Sequence, residues 1–178
     1  SIIVAAVILA SRPGYSQKPV NAIAPSDGPL KLFNGKDLAG LKTWLRDTRE
    51  KDPRGVFSVK NGMLHISGNG LGYLRTASDY RDYHLVVEFK WGPRTWGNRK
   101  DRSRDSGVLV HAAGPDGSGG GTWMASIESQ IIEGGCGDFI VIGGKARRVE
   151  ATAGPRRDSP EEVGIPATVV EIVVMEVD

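Results

Sequence analysis

Short runs in which apolar and polar residues alternate recur along this chain, separated by Gly, Asn, Asp and Pro. Alternation with a period of two is typical of half-buried β-strands, and long patterns with the helical period are absent. The clearest run spans residues 83–91. Leu85 and Val87 share one of its faces, and Glu88 lies on the other. The sequence therefore predicts an all-β fold built from short strands.

Other segments carry the same signal. Asn61 and Gly62 stand between the apolar runs 57–59 and 63–66, and an Asn-Gly pair in that position predicts a tight β-hairpin. Loops are expected in two polar, Gly-rich or Pro-rich stretches, residues 92–105 and 143–166. The remaining predicted strands are 72–76, 106–112, 124–133, 138–142 and 169–177.

The first ten residues are almost wholly apolar and are followed by Pro, Gly and Ser. A run of this length is shorter than the roughly 20 residues that a transmembrane helix needs. It is typical of the apolar region of a secretory signal peptide, with a short buried strand or helix as the alternative. We therefore expect a partial signal peptide over 1–16, a linker over 17–29 and one domain over 30–178 that is truncated at its C-terminal end. A signal peptide also predicts export to the periplasm or the cell exterior.

Charge and cysteine content exclude several classes of function. The formal net charge is +2, from 23 Lys and Arg against 21 Asp and Glu, which gives no reason to expect a nucleic acid or a membrane surface as partner. The single cysteine, Cys136, cannot form an internal disulfide, and we interpret it as a small residue in a Gly-rich turn. No metal-ligand spacing is present, so we expect neither a metal nor a cofactor.

The candidate chemistry lies in the stretch Glu128-Ser-Gln-Ile-Ile-Glu133. Residues five apart on a regular strand point to opposite faces, but a single β-bulge between them would turn both glutamates to one face. Gln130 shares the face of Glu128 in either case. Two carboxyl groups on one surface can divide acid and base roles if their environments separate their pKa values.

Two other polar side chains extend this hypothesis. Glu88 lies on the polar face of the predicted strand 83–91, and His111 lies in the predicted strand 106–112. If these strands neighbour that of Glu128, carboxylates and an imidazole converge on one concave surface. A histidine is a suitable general base near neutral pH. His111 is therefore a candidate for proton transfer, and Glu88 a candidate for substrate binding.

Tryptophans near the strand ends are candidate sugar contacts, because indole rings offer large, rigid surfaces with a polar edge. Trp96 and Trp123 lie in Gly-rich loops, which favours contact with a ligand. Trp91 alternates with core positions, and we expect it to pack in the core.

Three segments together resemble one protein family. They are Leu32-Phe-Asn-Gly-Lys-Asp-Leu38, Asp105-Ser-Gly-Val-Leu109 and the stretch Glu128–Glu133, and they resemble the 3-keto-disaccharide hydrolase domain. The resemblance implies a concanavalin A-like jelly-roll β-sandwich. Family members usually continue with further strands, which is why we expect the sandwich to be incomplete at its C-terminal end.

The resemblance also implies cleavage of glycosides already oxidised at the sugar 3-position. A ketone at C3 acidifies the C2 hydrogen, so a base can remove it, the C1 substituent departs, and water then adds. Glu128, Glu133 and His111 are the candidates for proton transfer. Arg104 and Gln130 are the candidates for holding the sugar or its developing oxyanion.

Two other functions compete with this hypothesis. The spacing Glu-x-Gln-x-x-Glu resembles the Glu-x-Asp-x-x-Glu strand of laminarinase-type glycosidases, whose retaining mechanism needs carboxyl groups about 5–5.5 Å apart. Gln130 replaces the middle Asp and cannot titrate. A non-catalytic carbohydrate-binding module, which would use Trp96 and Trp123, is the other alternative. All three predict a carbohydrate as the ligand.

Overall fold

The computed structural model describes residues 8–9, 22–24, 28–143 and 169–177. Within these residues the chain is all-β, as predicted, with one short 3-10 helix at Gly97–Arg99. The strands are β1 (Ile8–Leu9), β2 (Leu30–Lys31), β3 (Leu41–Leu45), β4 (Phe57–Lys60), β5 (Met63–Ile66), β6 (Gly72–Thr76), β7 (His84–Trp91), β8 (Asp105–Ala113), β9 (Ala125–Ile132), β10 (Gly135–Ile142) and β11 (Val169–Val177).

The strands form two larger sheets and one small sheet. One larger sheet has the order β1-β8-β9-β10, in which β8, β9 and β10 are antiparallel neighbours. The other has the order β2-β11-β5-β4, and β7 also pairs with β11. Strands β3 and β6 pair with each other in an antiparallel ribbon. This arrangement is consistent with a β-sandwich, and it places the Glu128 strand in the centre of the first sheet.

The hairpin between β4 and β5 has the predicted turn. Asn61 and Gly62 both have positive φ, 52° and 75°. Two consecutive positive φ angles define a primed turn, whose twist matches that of the flanking strands. Asn tolerates this conformation better than most residues, and Gly adopts it without strain.

Two apolar clusters form the core in the part of the chain that the structure describes. The larger one consists of Leu32, Phe33, Leu45, Val56, Phe57, Leu64, Ile66, Leu74 and Tyr80. Trp91 packs against its side, as predicted. The smaller cluster joins Tyr73 of β6 to Leu109 and Ala112 of β8 and to Met124, which precedes β9. It therefore anchors the β8–β9 pair to the rest of the domain.

A polar network holds the Gly-rich loop 114–121 against β6. The Asp116 carboxylate accepts hydrogen bonds from the Tyr73 hydroxyl (2.6 Å) and from Nε and Nη2 of Arg75 (2.8 and 2.9 Å). The backbone N–H of Gly117 donates to the Tyr73 hydroxyl oxygen at 3.2 Å. Because the Arg75 and Asp116 side chains are mostly buried, this pair is worth more than a surface ion pair.

Replacing Asp116 with Asn is expected to lower the free energy of unfolding by roughly 2–3 kcal/mol, because it leaves the Arg75 guanidinium without its counter-charge. Burial acts to raise the pKa of Asp116, but hydrogen bonds from Arg75 and Tyr73 lower it overall. Its contribution to stability is therefore present above the ordinary carboxyl pKa and is lost as the pH falls through the lower folded-state value.

Urea unfolding at neutral and acidic pH measures this effect. Asp82→Asn is the matched control, because Asp82 forms an exposed ion pair with Arg81. We expect that change to stay within about 0.5 kcal/mol of the wild type. An equal decrease in the free energy of unfolding for the two variants would show that the buried network contributes no more to stability than an exposed ion pair.

Candidate functional site

The candidate site lies on one face of the β8–β9 pair. The register pairs Leu109 with Glu128 and Gly107 with Gln130, and it continues without a shift from Asp105 to Val110 of β8. Residues directly opposite each other on neighbouring strands share a face. Since side chains alternate along a strand, Asp105 lies on this face as well. The ladder therefore brings Asp105, Gly107, Glu128 and Gln130 together.

Gly107 makes room for the Glu128 side chain. A Cβ atom at Gly107 would lie 2.2 Å from Oε1 and 2.7 Å from Cγ of Glu128. No side chain can occupy that space while Glu128 keeps its position. The glutamate thus lies directly over the Gly107 backbone instead of extending away from the sheet.

Asp105 connects this face to the preceding loop. Its Oδ1 accepts a hydrogen bond of 2.7 Å from Nε2 of Gln130, and its Oδ2 accepts a hydrogen bond from Nη2 of Arg99. Arg99 is the last residue of the 3-10 helix in the loop between β7 and β8. A carboxylate with two such donors is fixed in orientation. The chain Arg99–Asp105–Gln130 therefore holds the Gln130 amide with its oxygen turned away from Asp105.

Glu128 is the most unusual group of the site. The residue is only 1% exposed. Burial first, and the negative charge of Asp105 second, raise its pKa from the ordinary 4.5 to about 7. Among the residues that the structure describes, neither Glu128 Oε1 nor Gln130 Oε1 has a hydrogen-bond partner. Buried oxygens are normally paired, so two unpaired ones with a shifted carboxyl group are typical of a functional site.

The bulge predicted between Glu128 and Glu133 is wrong. From Ile127 to Ile132 the β9 register against β8 is regular, and the irregularity between β9 and β10 lies on β10, between Cys136 and Phe139. Glu133 follows the last residue of β9, and the hydrogen bond from its backbone N–H to the Arg104 carbonyl continues the β8–β9 ladder by one pair. Alternation therefore places Glu133 on the face opposite Glu128. The two carboxylates do not form a pair.

Glu133 instead binds Arg104 at the end of the ladder. Nη1 of Arg104 donates to Oε1 of Glu133 at 2.7 Å, and the Arg104 backbone N–H donates to Oε2 at 3.1 Å. The Glu133 backbone N–H returns a hydrogen bond to the Arg104 carbonyl. Arg104 was predicted to hold the sugar or an oxyanion, but its guanidinium is engaged with Glu133, and alternation puts it on that same opposite face.

The prediction that Glu88 and His111 converge with Glu128 is also wrong, because the strand of Glu88 does not neighbour the strands of the other two residues. Strand β7, which carries Glu88, pairs with β11 in the other larger sheet and not with β8. His111 is in β8, but it is exposed and has a positive φ of 54°, at a register shift between Val110 and Ala113. In the described part of the chain, no hydrogen bond or ion pair joins His111 to Glu128.

The two loop tryptophans have different surroundings. Trp96 is 37% exposed and lines a cleft of about 430 Å³ beside the 3-10 helix. Trp123 is partly buried and packs against the smaller core cluster, which favours a packing role for it. Cys136 is exposed and has no disulfide partner.

Three residues of the site were not singled out by the sequence pattern: Arg99, Asp105 and Gly107. The period of two offered a signal for Asp105 and Gly107, because both fall on the Leu109 face of β8 and belong to the motif Asp105-Ser-Gly-Val-Leu109. Arg99 offered none, since a loop arginine reaches Asp105 only through the folded loop.

Neither a metal site nor a membrane-spanning helix is found among the described residues. Among them, no group of three or more His, Cys, Asp or Glu is placed to hold a metal ion. No helix in these ranges has the length and apolar character required to cross a membrane.

Comparison with known proteins agrees with the motif resemblance. The family model described as the 3-keto-alpha-glucoside-1,2-lyase-like domain matches residues 28–162, a range that includes all of β8, β9 and β10. Comparisons with curated proteins and with solved structures found no match.

Proposed function

The chain belongs to the 3-keto-alpha-glucoside-1,2-lyase-like domain family, and on this premise we propose that it cleaves 3-keto glycosides by removing the C2 proton and expelling the C1 substituent. One observation carries the proposal. Glu128 is a buried carboxyl group with a pKa of about 7, and its Oε1 has no partner among the described residues. A general base works best when its pKa is near the working pH.

The reaction follows from the ketone. The C3 carbonyl acidifies the C2–H bond, so Glu128 takes that proton and the electron pair moves onto the carbonyl oxygen as an enolate. The enolate then re-forms the carbonyl, the C1–C2 double bond forms and the C1–O bond breaks. The departing oxygen takes up the proton that Glu128 removed, which restores the carboxylate. The products are a 1,2-unsaturated 3-keto sugar and a free alcohol. Addition of water across the new double bond completes a net hydrolysis.

Neighbouring groups support Glu128 in this role. The Gln130 amide has two N–H groups, of which one donates to Asp105. The other N–H can donate to the keto oxygen, and the unpaired Oε1 can accept a hydrogen bond from a sugar hydroxyl. Arg99 forms an ion pair with Asp105, and Asp105 in turn orients the Gln130 amide on the Glu128 face. We propose Glu128 as the catalytic base, Gln130 as a substrate contact, and Arg99 and Asp105 as positioning residues.

The retaining glycosidase alternative does not fit this geometry. It requires two carboxyl groups facing the same sugar at about 5–5.5 Å from each other. Glu133 lies just after β9, on the opposite side of the ladder from Glu128, and it is paired with Arg104. A 3-keto substrate removes the need for the second carboxylate, because the ketone activates the C2 proton.

Turnover of matched substrates tests the proposal. We expect a 3-keto disaccharide to be cleaved with the appearance of a conjugated enone absorbance, and the unoxidised parent disaccharide to stay intact. Deuterium at C2 should slow the reaction, because that bond breaks during proton removal. Binding of both sugars without turnover of either would contradict the proposal and would favour a carbohydrate-binding module.

The pH dependence of kcat/KM should report the ionisation of Glu128. Since the base must be ionised, we expect kcat/KM to rise with pH through a midpoint of about 7 and then to level off. Asp105→Asn removes a neighbouring negative charge, so the midpoint should move to lower pH. An unchanged midpoint in that variant would contradict the assignment.

The ionisation of Glu128 should also change the free energy of unfolding with pH. A raised folded-state pKa means that the favourable contribution of protonated Glu128 is complete below its ordinary pKa of 4.5 and is lost as the pH rises through about 7. Urea unfolding from pH 4.5 to 8 should show this loss in the wild type. Glu128→Gln should lack it, because the amide does not titrate.

A further inference from the structure

Glu128 lies only one strand away from an edge of its sheet. In the described part of the chain, β10 is the last strand of the order β1-β8-β9-β10 and pairs with β9 alone. Water would reach the carboxyl group most directly across this edge, yet Glu128 is only 1% exposed. The register places Ile140 of β10 directly opposite Glu128, between the glutamate and the edge.

We infer that Ile140 is a positioning residue that excludes water from the edge-facing side of Glu128 and so keeps the proposed base poorly hydrated. The inference rests on the proposed function and adds to it a residue that controls how basic the carboxylate is. Ile140 does not take up a proton itself, and it acts on the reaction through the carboxyl group of Glu128.

Cross-strand geometry brings the two side chains together. Directly opposite residues of an antiparallel pair share a face of the sheet and have Cβ atoms about 4.5–5.5 Å apart. Across the ladder, Ile140 has Glu128 as its direct neighbour and Ser126 and Gln130 as its diagonal neighbours. Ile140 is 41% exposed, so more than half of its surface is covered although it lies on an edge strand. An isoleucine in this position covers the β10 side of Glu128.

Other elements close the remaining sides of Glu128. On β8, Leu109 lies opposite Glu128 and is fully buried, and the Gly107 backbone lies directly under the carboxyl group. On β9, the preceding residue of the same face, Ser126, is buried as well. Compared with Leu109 and Ser126, Ile140 is far more exposed. It is therefore the neighbour at which a substitution admits water to the base.

Exclusion of water strengthens a carboxylate base. Burial is the largest cause that raises the pKa of Glu128 to about 7, and the negative charge of Asp105 is the second. A poorly hydrated carboxylate holds a proton more firmly than one in solution. Oε1 of Glu128 has no hydrogen-bond partner among the described residues, so water that entered from the edge would bind this oxygen and lower its basicity.

The charged groups around Glu128 come from three elements. Asp105 of β8 lies on the same face, and Arg99 of the 3-10 helix is paired with it. Asp138 lies two residues before Ile140 on β10 and is exposed. None of these charges changes when position 140 is substituted with a neutral residue. A shift in the ionisation of Glu128 therefore reports hydration or a new contact at position 140.

Val141 is a matched control on the same strand. It follows Ile140 and is 45% exposed. It pairs with Ile127, so it lies on the face opposite Glu128. Both residues are exposed apolar residues of one edge strand, and Asn at either position should weaken the strand similarly. Only the change at position 140 is next to the base.

A pH titration that needs no substrate tests the inference. The stability that protonated Glu128 contributes is lost as the pH rises through its folded-state pKa, and urea unfolding from pH 4.5 to 8 locates that midpoint. In Ile140→Asn the midpoint should move to lower pH by about 0.5–1 pH unit, because water and the new amide stabilise the carboxylate. Ile140→Val keeps an apolar side chain and should retain the wild-type midpoint. Val141→Asn should retain it as well.

Ile140→Thr is the second variant, for the case that Asn at position 140 prevents folding. Threonine keeps the β-branched shape that suits a strand and adds one hydroxyl group. The midpoint should move in the same direction by a smaller amount.

Activity gives a second readout. With a 3-keto disaccharide, the pH midpoint of kcat/KM in Ile140→Asn should move in the same direction as the unfolding midpoint. On the plateau at high pH, kcat should fall about 2- to 5-fold, because a less basic carboxylate removes the C2 proton more slowly. Val141→Asn should keep both the wild-type midpoint and the wild-type kcat.

The outcomes are separable. Equal unfolding midpoints in the wild type, Ile140→Asn and Ile140→Thr overturn the role of Ile140, and turnover by the wild type then leaves the proposed function standing. A shift of the same size in Val141→Asn also overturns it, because that side chain is on the other face. A wild type that cleaves no 3-keto substrate overturns the proposed function, whereas the unfolding midpoints still decide whether Ile140 shields Glu128 from water.

Discussion

Glu128→Gln is expected to reduce kcat for a 3-keto disaccharide by about 100- to 10,000-fold, the range typical for loss of a general base. The amide has the shape of the carboxyl group but cannot take a proton. The fold should survive, because burial already favours the neutral form of this side chain and raises its pKa to about 7. Above that pH, where the wild type buries a charge, the variant should be as stable as the wild type or more so.

Two measurements make this result specific. The first is steady-state turnover together with urea unfolding at pH 8, which separates lost chemistry from lost structure. The second is exchange of the C2 hydrogen with deuterated water, which reports proton removal even when the leaving group stays in place. Wild-type rates of exchange in Glu128→Gln would contradict the role of Glu128 as the base.

Glu133→Gln distinguishes this assignment from a pair of carboxylates. Glu133 lies on the opposite face, is 43% exposed and is paired with Arg104. A partly exposed ion pair of this kind contributes about 0–1 kcal/mol to stability, so we expect kcat to change by less than about threefold. A loss as large as that in Glu128→Gln would restore the paired-carboxylate hypothesis.

Gly107→Ala is expected to have the second large effect. The new methyl group would lie 2.2 Å from Oε1 of Glu128, so the glutamate must leave its position. We expect kcat to fall by at least about 100-fold, as for loss of a well-placed base. Overpacking should also lower the free energy of unfolding by about 1–3 kcal/mol. Kinetics on the 3-keto disaccharide and urea unfolding measure the two effects.

A double-mutant cycle identifies the cause. In a Glu128→Ala background the colliding side chain is gone, so Gly107→Ala should no longer destabilise, and a gain of a few tenths of a kcal/mol is expected from the stiffer backbone. Gly107 does not have a positive φ, so alanine fits its backbone. An equal loss in both backgrounds would mean that the collision is not with Glu128.

Alternation and turn residues predicted most of the strands, because both signals depend only on neighbours in the chain. The Asn61-Gly62 turn, the β7 strand and the β8 to β10 strands follow from alternation and from turn residues, which depend on neighbours in the chain. Strand β3 (Leu41–Leu45) was missed. It is defined by its ladder with β6, and a long-range ladder leaves little trace in a five-residue pattern.

Strand neighbours were harder to predict than strands. Alternation shows which side chains share a face of one strand, but not which strand lies next to it. For that reason Glu88 was expected near His111, whereas β7 pairs with β11. The position of the bulge is equally non-local, because a bulge exists only relative to a partner strand. The sequence placed it in β9, while the structure has irregularities in the β8 and β10 ladders.

The stretch from Glu128 to Glu133 shows most clearly which properties follow from the sequence alone and which depend on the tertiary structure. The sequence by itself determined that Glu128 and Gln130 share a face, because side chains on a strand alternate, and its motifs indicated the family. Only the tertiary structure decided that Glu128 is buried, that Glu133 is not its partner, and that its pKa lies near 7. Burial and the field of Asp105 come from a neighbouring strand and from packing, and strand pairing between distant segments is set by the whole fold.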